Sequence, residues 1–260
     1  MYDKPVVPRI ASRRHAVVQL VRAIASQRTP DDPVLLDGEH LVSEALRANI
    51  PLTVVLVYGN RFESLVDQAR RANAEIYDVT ADVLDAVSPV RTPSGIVALA
   101  RWAPAAAGDT ISNATGIVMG LVNVQDPGNA GTIIRSADAL GGRPVLALDA
   151  TADPAGWKCL RGAMGSTFRV AVARGSTSDA LIAAREADMP IIAAVASGGT
   201  QIDDVDLRRK ALVLLGSEGA GLPSQLIDQA DVRLTIPMRP GANSLNVATT
   251  ATLVLWQGRP

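Results

Sequence analysis

The chain has 260 residues, 48% of them hydrophobic and 20% charged, which suffices for a globular core and excludes a disordered chain. A net charge of −1 gives no overall signature of nucleic-acid binding, and a single cysteine, Cys159, excludes an internal disulfide and fits a reducing compartment. Aromatic residues are only 3% of the chain, so the core has to be built from Ala, Val, Leu and Ile.

The opening stretch "MYDKPVVPRI" carries no apolar signal region, and no apolar run approaches the roughly 20 residues needed to span a bilayer. A soluble, cytoplasmic protein is expected. The first thirty residues hold Lys4, Arg9, Arg13, Arg14, Arg22 and Arg28 against Asp3 alone, a local basic segment that either attracts RNA phosphates or is a solvated helix face. "SRRHAVVQLVRAIASQR" places Val17, Leu20, Val21 and Ile24 at helical spacing behind a possible N-cap at Ser12. Short apolar runs then alternate with amphipathic segments as far as "GIVALAR", which predicts a small α/β domain over residues 1–102. "APAAAGDTISNAT", small, polar and broken by Pro and Gly, reads as a linker over 103–115.

A second α/β series fills 116–260, with strands expected at "GIVMGLVN", "RPVLAL", "FRVAV", "MPIIAAVA", "KALVLLG" and "VRLTIPM" and a closing helix in "SLNVATTATLVLWQ". Strands alternating with helices predict a largely parallel sheet with function in the loops at strand C-termini. Several chemistries are excluded. No glycine precedes any of Lys4, Lys158 or Lys210, so there is no P-loop; no G-x-G-x-x-G exists for a dinucleotide. The only histidines, His15 and His40, lie outside the second series, which leaves it no Ser-His-Asp triad and leaves the chain no His/Cys zinc set.

Three loops remain, each following an apolar strand. In "VQDPGNAGTIIRSADALGG" the turn formers Asp126, Pro127, Gly128 and Asn129 precede a helix expected over residues 130–140, with Arg135 early in it. A cation early in a helix lies near the positive end of the dipole and asks for an anion; the bland alternative is an ion pair with Asp138 at i+3. "LVLLGSEGAGLP" runs a buried strand into Gly216, Gly219 and Gly221 around Ser217 and Glu218, where backbone can approach a ligand closely. In "IPMRPGANSLNVATT", Ser244 is placed to cap the last helix, with Asn246 in its first turn. Each loop alone reads first as a structural turn or cap; together they point to one shared cleft.

"NVQDPGNAGTIIRSADALG", "LVLLGSEGAGL" and "IPMRPGANSLNVATTA" resemble, in order, spacing and identity, the three motifs of the SpoU (TrmH-type) RNA ribose 2′-O-methyltransferases of the SPOUT superfamily. The first domain, with "LLDGEHLVSEALRANIPLTVVLV" and "SPVRTPSGIVALAR", resembles that family's substrate-binding extension, akin to ribosomal RNA-binding proteins. Asp37 stands where many relatives have glutamate before glycine.

The resemblance implies an α/β fold with a C-terminal, deeply trefoil-knotted SPOUT methyltransferase domain and a smaller N-terminal RNA-binding domain. It implies S-adenosylmethionine as cofactor, an RNA substrate, ribosomal before transfer RNA, and a homodimer with its sites near the subunit interface. By position it makes Asn129, Arg135, Glu218, Ser244 and Asn246 catalytic, and Gly216, Ile236, Met238 and Leu245 cofactor contacts. RNA contacts are expected from Arg135 and, in the basic segment, from Arg9, Arg13 and Arg14, with no metal. Arginine is in effect always protonated, so Arg135 is read as a grip on the target phosphate that stabilises the developing alkoxide rather than as a base. A fold-preserving RNA-binding protein without turnover, and an unrelated nucleotide-binding enzyme, are the competing readings.

Overall fold

The computed structural model describes residues 7–241 and 244–260; Lys4, of the basic segment, lies outside the described residues. The chain divides into two units: residues up to Ala103 together with Ala155–Arg161, and Pro104–Pro154 with Gly162–Pro260.

The first unit contains β1 (Arg9–Ile10), α1 (Ala16–Ser26), β2 (Val34–Asp37), α2 (Glu39–Arg47), β3 (Leu52–Val57), α3 (Glu63–Arg71), β4 (Glu75–Val79), α4 (Ala81–Val87) and β5 (Ile96–Ala100). The sheet runs β1-β4-β3-β5-β2, with β1, β4 and β3 parallel and β5 antiparallel to both of its neighbours. Consequently the C-terminal ends of β2 and β3 and the start of β5 share one edge. Helix α1 begins later than expected. The Ser12 carbonyl accepts from His15 N and its Oγ from Arg14 N, forming a turn, and His15 Nδ1 caps the helix by accepting from Val17 N at 3.3 Å. The later start selects Val18, Val21 and Ile24 as the buried stripe and leaves Leu20 exposed. Trp157 packs on this same core and donates from Nε1 to Ala25 O at 3.2 Å, a contribution from late in the chain that no local pattern announces.

The second unit contains β6 (Ala105–Ala106), α5 (Ala107–Ser112), β7 (Ile117–Val122), α6 (Pro127–Ala139), β8 (Val145–Leu148), the end of α7 (Trp157–Ala163), β9 (Val172–Gly175), α8 (Thr177–Glu186), β10 (Ile191–Ala194), β11 (Thr200–Gln201), β12 (Ala211–Leu215), α9 (Ser224–Asp228), β13 (Val232–Thr235) and α10 (Val247–Gln257). Its sheet, β11-β13-β10-β12-β7-β8-β9-β6, is parallel at every pairing. Strands β7, β8 and β12 are buried along their whole length, as a sheet covered on both faces requires.

Two expectations fail here. The stretch 103–115 is no linker: β6 pairs with β9, and Ala107, Thr110 and Ile111 of α5 are buried. Its small residues serve close packing, since a Cβ at Gly175 would lie 2.8 Å from the Ala107 side chain. "FRVAV" is not a strand from Phe168 either. Ser166–Phe168 form a 3-10 turn and β9 starts at Val172, because the Asp138 carboxylate accepts from Ser166 Oγ and Arg169 Nε, both at 2.8 Å, and holds this segment in a turn.

From β7 the chain steps outward through β8 and β9, then crosses to β10 on the far side of β12. The reversal lies between β7 and β12, and the loops leaving these neighbouring strands open a crevice at their carboxyl ends. Among the described residues, no helix is long and apolar enough to cross a membrane.

Candidate active site

Helix α6 starts sharply. Asp126 caps it, accepting from Gly128 N at 2.7 Å, and Pro127 occupies the first turn, where its missing N–H costs nothing. Asn129 therefore sits in the first turn, half-buried, at the carboxyl edge of β7. Opposite it, Gly216 follows β12 and the chain folds back on itself: Gly221 N donates to Ser217 O at 2.9 Å, and Ser217 bridges Gly221. A Cβ at Gly216 would lie 2.1 Å from the Gly221 carbonyl carbon, so only glycine fits. This hairpin carries Glu218 to the crevice.

The third element is the start of α10. Its cap is Asn246, not Ser244: Asn246 Oδ1 accepts from Ala248 N at 2.8 Å and Thr249 N at 3.3 Å. With the oxygen committed to the helix, Asn246 Nδ2 points away and donates to Asn129 Oδ1 at 3.2 Å. Asn129 Nδ2 in turn donates to Glu218 Oε1. One directed relay thus runs from the α10 amides through two asparagines to a carboxylate. Helix α6 also packs on α10, where Ser136 Oγ and Thr252 Oγ1 are 2.9 Å apart.

Beside this relay lies a cavity of about 390 Å³, within the range of small-molecule and cofactor sites. Gly216, Ile236, Met238 and Leu245, the four expected cofactor contacts, all line it, and so do Glu218 and Ser244. Val195 and Ala196, which follow β10, form a further wall that the motif reading did not include. The signal was present in "IIAAVASGG", an apolar strand ending in Ser-Gly-Gly, the same pattern that flagged the loop after β12.

Arg135 is the ninth of thirteen residues of α6. It lies past the helix midpoint, so the dipole objection does not apply, and it is rotated about 120° from Asn129 around the axis. The structure does not bring it into the Asn129–Glu218–Asn246 cluster. Nor does it pair with Asp138, whose carboxylate is taken by Arg169 and Ser166. The Arg135 side chain is exposed and makes no hydrogen bond or ion pair among the described residues.

Part of the basic segment is tied to the protein itself. Arg9 Nε lies 3.5 Å from the Asp78 carboxylate, Arg13 Nε donates to Asp82 O at 3.1 Å, and Arg28 donates to Pro30 O and Asp32 O. The Arg14 side chain has no such tie among the described residues and is exposed. No group of three or more His, Cys, Asp or Glu side chains fit to hold a metal ion occurs among the described residues.

The sequence model of the SpoU rRNA Methylase family matches residues 116–256, and that of the MRM3-like substrate binding domain matches residues 19–98. The 23S rRNA (guanosine(2553)-2′-O)-methyltransferase RlmP of Bacillus subtilis (strain 168) is 30% identical over 233 residues, 90% of this chain and 91% of that protein. Among solved structures, the AdoMet-bound rRNA methyltransferase from Sinorhizobium meliloti superposes with a TM-score of 0.86 at 26% identity, over 97% of both chains. The SpoU methyltransferase AviRb from Streptomyces viridochromogenes, in complex with AdoMet, superposes with a TM-score of 0.81 at 27% identity, over 94% of this chain and 97% of that one. On this evidence of sequence, fold and motif geometry, the chain belongs to the SpoU rRNA methylase family.

Proposed function

We propose that this protein methylates a ribose 2′-hydroxyl in ribosomal RNA with S-adenosylmethionine, using the cluster of Asn129, Glu218, Ser244 and Asn246 together with Arg135. The observation that carries the reading is the meeting of all three motifs at the carboxyl edge of β7, β12 and β13, where the amide relay adjoins the cavity. The cavity fits the cofactor's chemistry. The glycine hairpin leaves backbone exposed at Gly216, Ile236, Met238 and Leu245 supply apolar wall, and the Glu218 carboxylate offers negative charge to a cationic sulfonium. When bound, S-adenosylmethionine supplies an electrophilic methyl group.

The chain's residues do the rest. Asn129 and Asn246 hold fixed amide orientations and so present a rigid pattern of donors and acceptors to a ribose, which lowers the cost of aligning the 2′-oxygen for in-line attack. Glu218 anchors the far end of the relay, and Ser244 adds a hydroxyl to the cavity wall. Arg135, permanently charged and free of protein partners among the described residues, grips the phosphate beside the target ribose and stabilises the oxygen as it loses its proton.

The finer parts of the proposal are a trefoil knot formed by the loops that carry Glu218 and Ser244, a homodimer, and residence in the cytoplasm. Support for the dimer comes from α10, whose Leu253 and Trp256 are 38% and 52% exposed at i, i+3 spacing, with the Arg259 guanidinium 3.8 Å over the Trp256 ring. RNA contact by Arg9, Arg13 and Arg14 of the first unit is a further part of the proposal. Titration with S-adenosylmethionine tests the reading: saturable binding by wild type, weakened more than tenfold in Gly216→Ala, is expected, and absence of binding by wild type would reject it.

A further inference from the structure

In the first unit, a second concavity of about 310 Å³ opens at the sheet edge where β3 ends and β5 begins. Tyr58, Arg61, Asp85, Pro93 and Ser94 line it, over a floor that includes Phe62. The setting is a built one. Tyr58 N donates to Gly95 O at 2.9 Å, and Gly95 has φ +108°, with its missing Cβ leaving room for the Phe62 ring, which would otherwise lie 2.8 Å away. At the same edge Ser88 Oγ donates to Asp37 Oδ2 at 2.5 Å, tying the turn after β2 to the segment that leads into β5.

Three features set this concavity apart from an ordinary surface dent. In a chain with only three tyrosines, two phenylalanines and three tryptophans, Tyr58 keeps 49% of its surface exposed, and its hydroxyl has no partner among the described residues. The Asp85 carboxylate and the Ser94 hydroxyl likewise make no hydrogen bond or ion pair among the described residues, although both line the same concavity. Arg61 stands 5.2 Å over the Phe62 ring and only 3.4 Å from the Glu39 carboxylate in an exposed pair, an arrangement that leaves its guanidinium available to another anion.

We infer that this concavity holds one unstacked nucleobase of a single-stranded segment of the RNA substrate. The base stacks on Tyr58, Ser94 and Asp85 read its edge, and Arg61 takes the adjoining phosphate. Unpaired bases splayed from RNA loops are bound in this manner, by an aromatic face with a few polar groups at the base edge. The carboxylate of Asp85 only accepts hydrogen bonds, so it selects a base with N–H donors on its Watson–Crick edge, guanine foremost. The inference rests on the RNA-methyltransferase reading for the identity of the ligand, and it adds a second recognition site to it.

The test uses the full-length protein and short fluorescein-labelled single-stranded RNAs, oligouridine with and without one internal guanosine, read by anisotropy. Methyl transfer to total RNA is followed in parallel. Tyr58→Ala should weaken binding roughly tenfold, with Tyr58→Phe close to wild type, since the ring face is retained. Asp85→Asn should reduce the preference for the guanosine-containing oligomer while oligouridine binding stays. In the transfer assay Tyr58→Ala should raise the KM for RNA and leave kcat unchanged. Unchanged affinity in Tyr58→Ala, or wild type that does not bind the single strands, overturns the site even where methyl transfer is robust. Tyr58-dependent binding without methyl transfer to any RNA keeps the site and removes the enzymatic reading instead.

Discussion

Asn246 donates from Nδ2 to Oδ1 of Asn129 across 3.2 Å, and this bond fixes the orientation of both amides. The cap on α10 consumes Asn246 Oδ1, so only the amino group faces Asn129, which must then present its own amino group to Glu218. Asn246→Asp separates the two duties of this residue. Aspartate still caps, so stability to denaturant should stay within about 0.5 kcal/mol of wild type. It cannot donate to Asn129, and methyl transfer should fall by about 10²-fold. Asn246→Ala should lose the activity and, in addition, about 1 kcal/mol of stability with the cap. Equal stability loss in both variants would count against the split.

Arg135 is the converse case in the proposal, a residue given a role in the reaction and none in the fold. Its exposed side chain has no protein partner among the described residues, so Arg135→Ala should shift the unfolding midpoint negligibly. Arg135→Lys keeps the charge and loses the planar fork, so turnover on RNA should still drop at least tenfold. Near wild-type turnover in the lysine variant would exclude the phosphate-grip role.

Much of the second unit is legible in its sequence because both-face burial writes parallel strands as unbroken apolar runs, as in "ALVLL" and "VLAL". The three loops stand out because turn chemistry has to follow those runs. What stays hidden is set by distance. Ser244 and Asn246 are both good caps in isolation, and only the bonds that Ala248 N and Thr249 N donate to Asn246 Oδ1 show that the asparagine serves. The helical placement of Arg135 was legible as a helix but not as a position within it, because the start of α6 depends on Asp126 rather than on the glycines. The two-residue strand β6 carries no periodicity at all, and its pairing with β9 is decided by tertiary packing. Tyr58, the first residue after β3, announces nothing until Gly95 and Asp85 are placed beside it.

Gly216→Ala tests the glycine hairpin. The new methyl would sit 2.1 Å from the Gly221 carbonyl carbon, backbone against backbone with no flexible side chain to yield. The hairpin has to open. Calorimetric titration should find S-adenosylmethionine binding weakened more than tenfold, with a lowered Tm, whereas Gly108→Ala, in α5, where a Cβ meets only the Ala183 side chain at 3.9 Å, should bind as wild type does. Equal behaviour of the two variants would remove the steric argument.

Stability in acid should carry a signature of Asp231. Burial pushes its carboxyl up, but the Arg185 guanidinium, 2.7 and 2.8 Å from its two oxygens, and the Ile191 N–H at 2.7 Å outweigh this and hold it below the ordinary carboxylate value. A depressed folded-state pKa contributes stability above the unfolded value of about 3.9, and that contribution disappears as pH falls through the folded-state value. Wild type should therefore exceed Asp231→Asn in denaturation midpoint by a constant amount from neutral pH down to about pH 4, with the gap closing below it. A gap independent of pH throughout the acid range would contradict the assignment.

The most direct measurement of the central claim is transfer of labelled methyl from S-adenosylmethionine to ribosomal RNA by wild type and Arg135→Ala, followed by alkaline hydrolysis to map protected ribose positions. The account predicts one discrete alkali-resistant site with wild type and its loss in the variant, which should still bind the cofactor. Label on a base, label spread without a defined site, or equal transfer by the variant would contradict it.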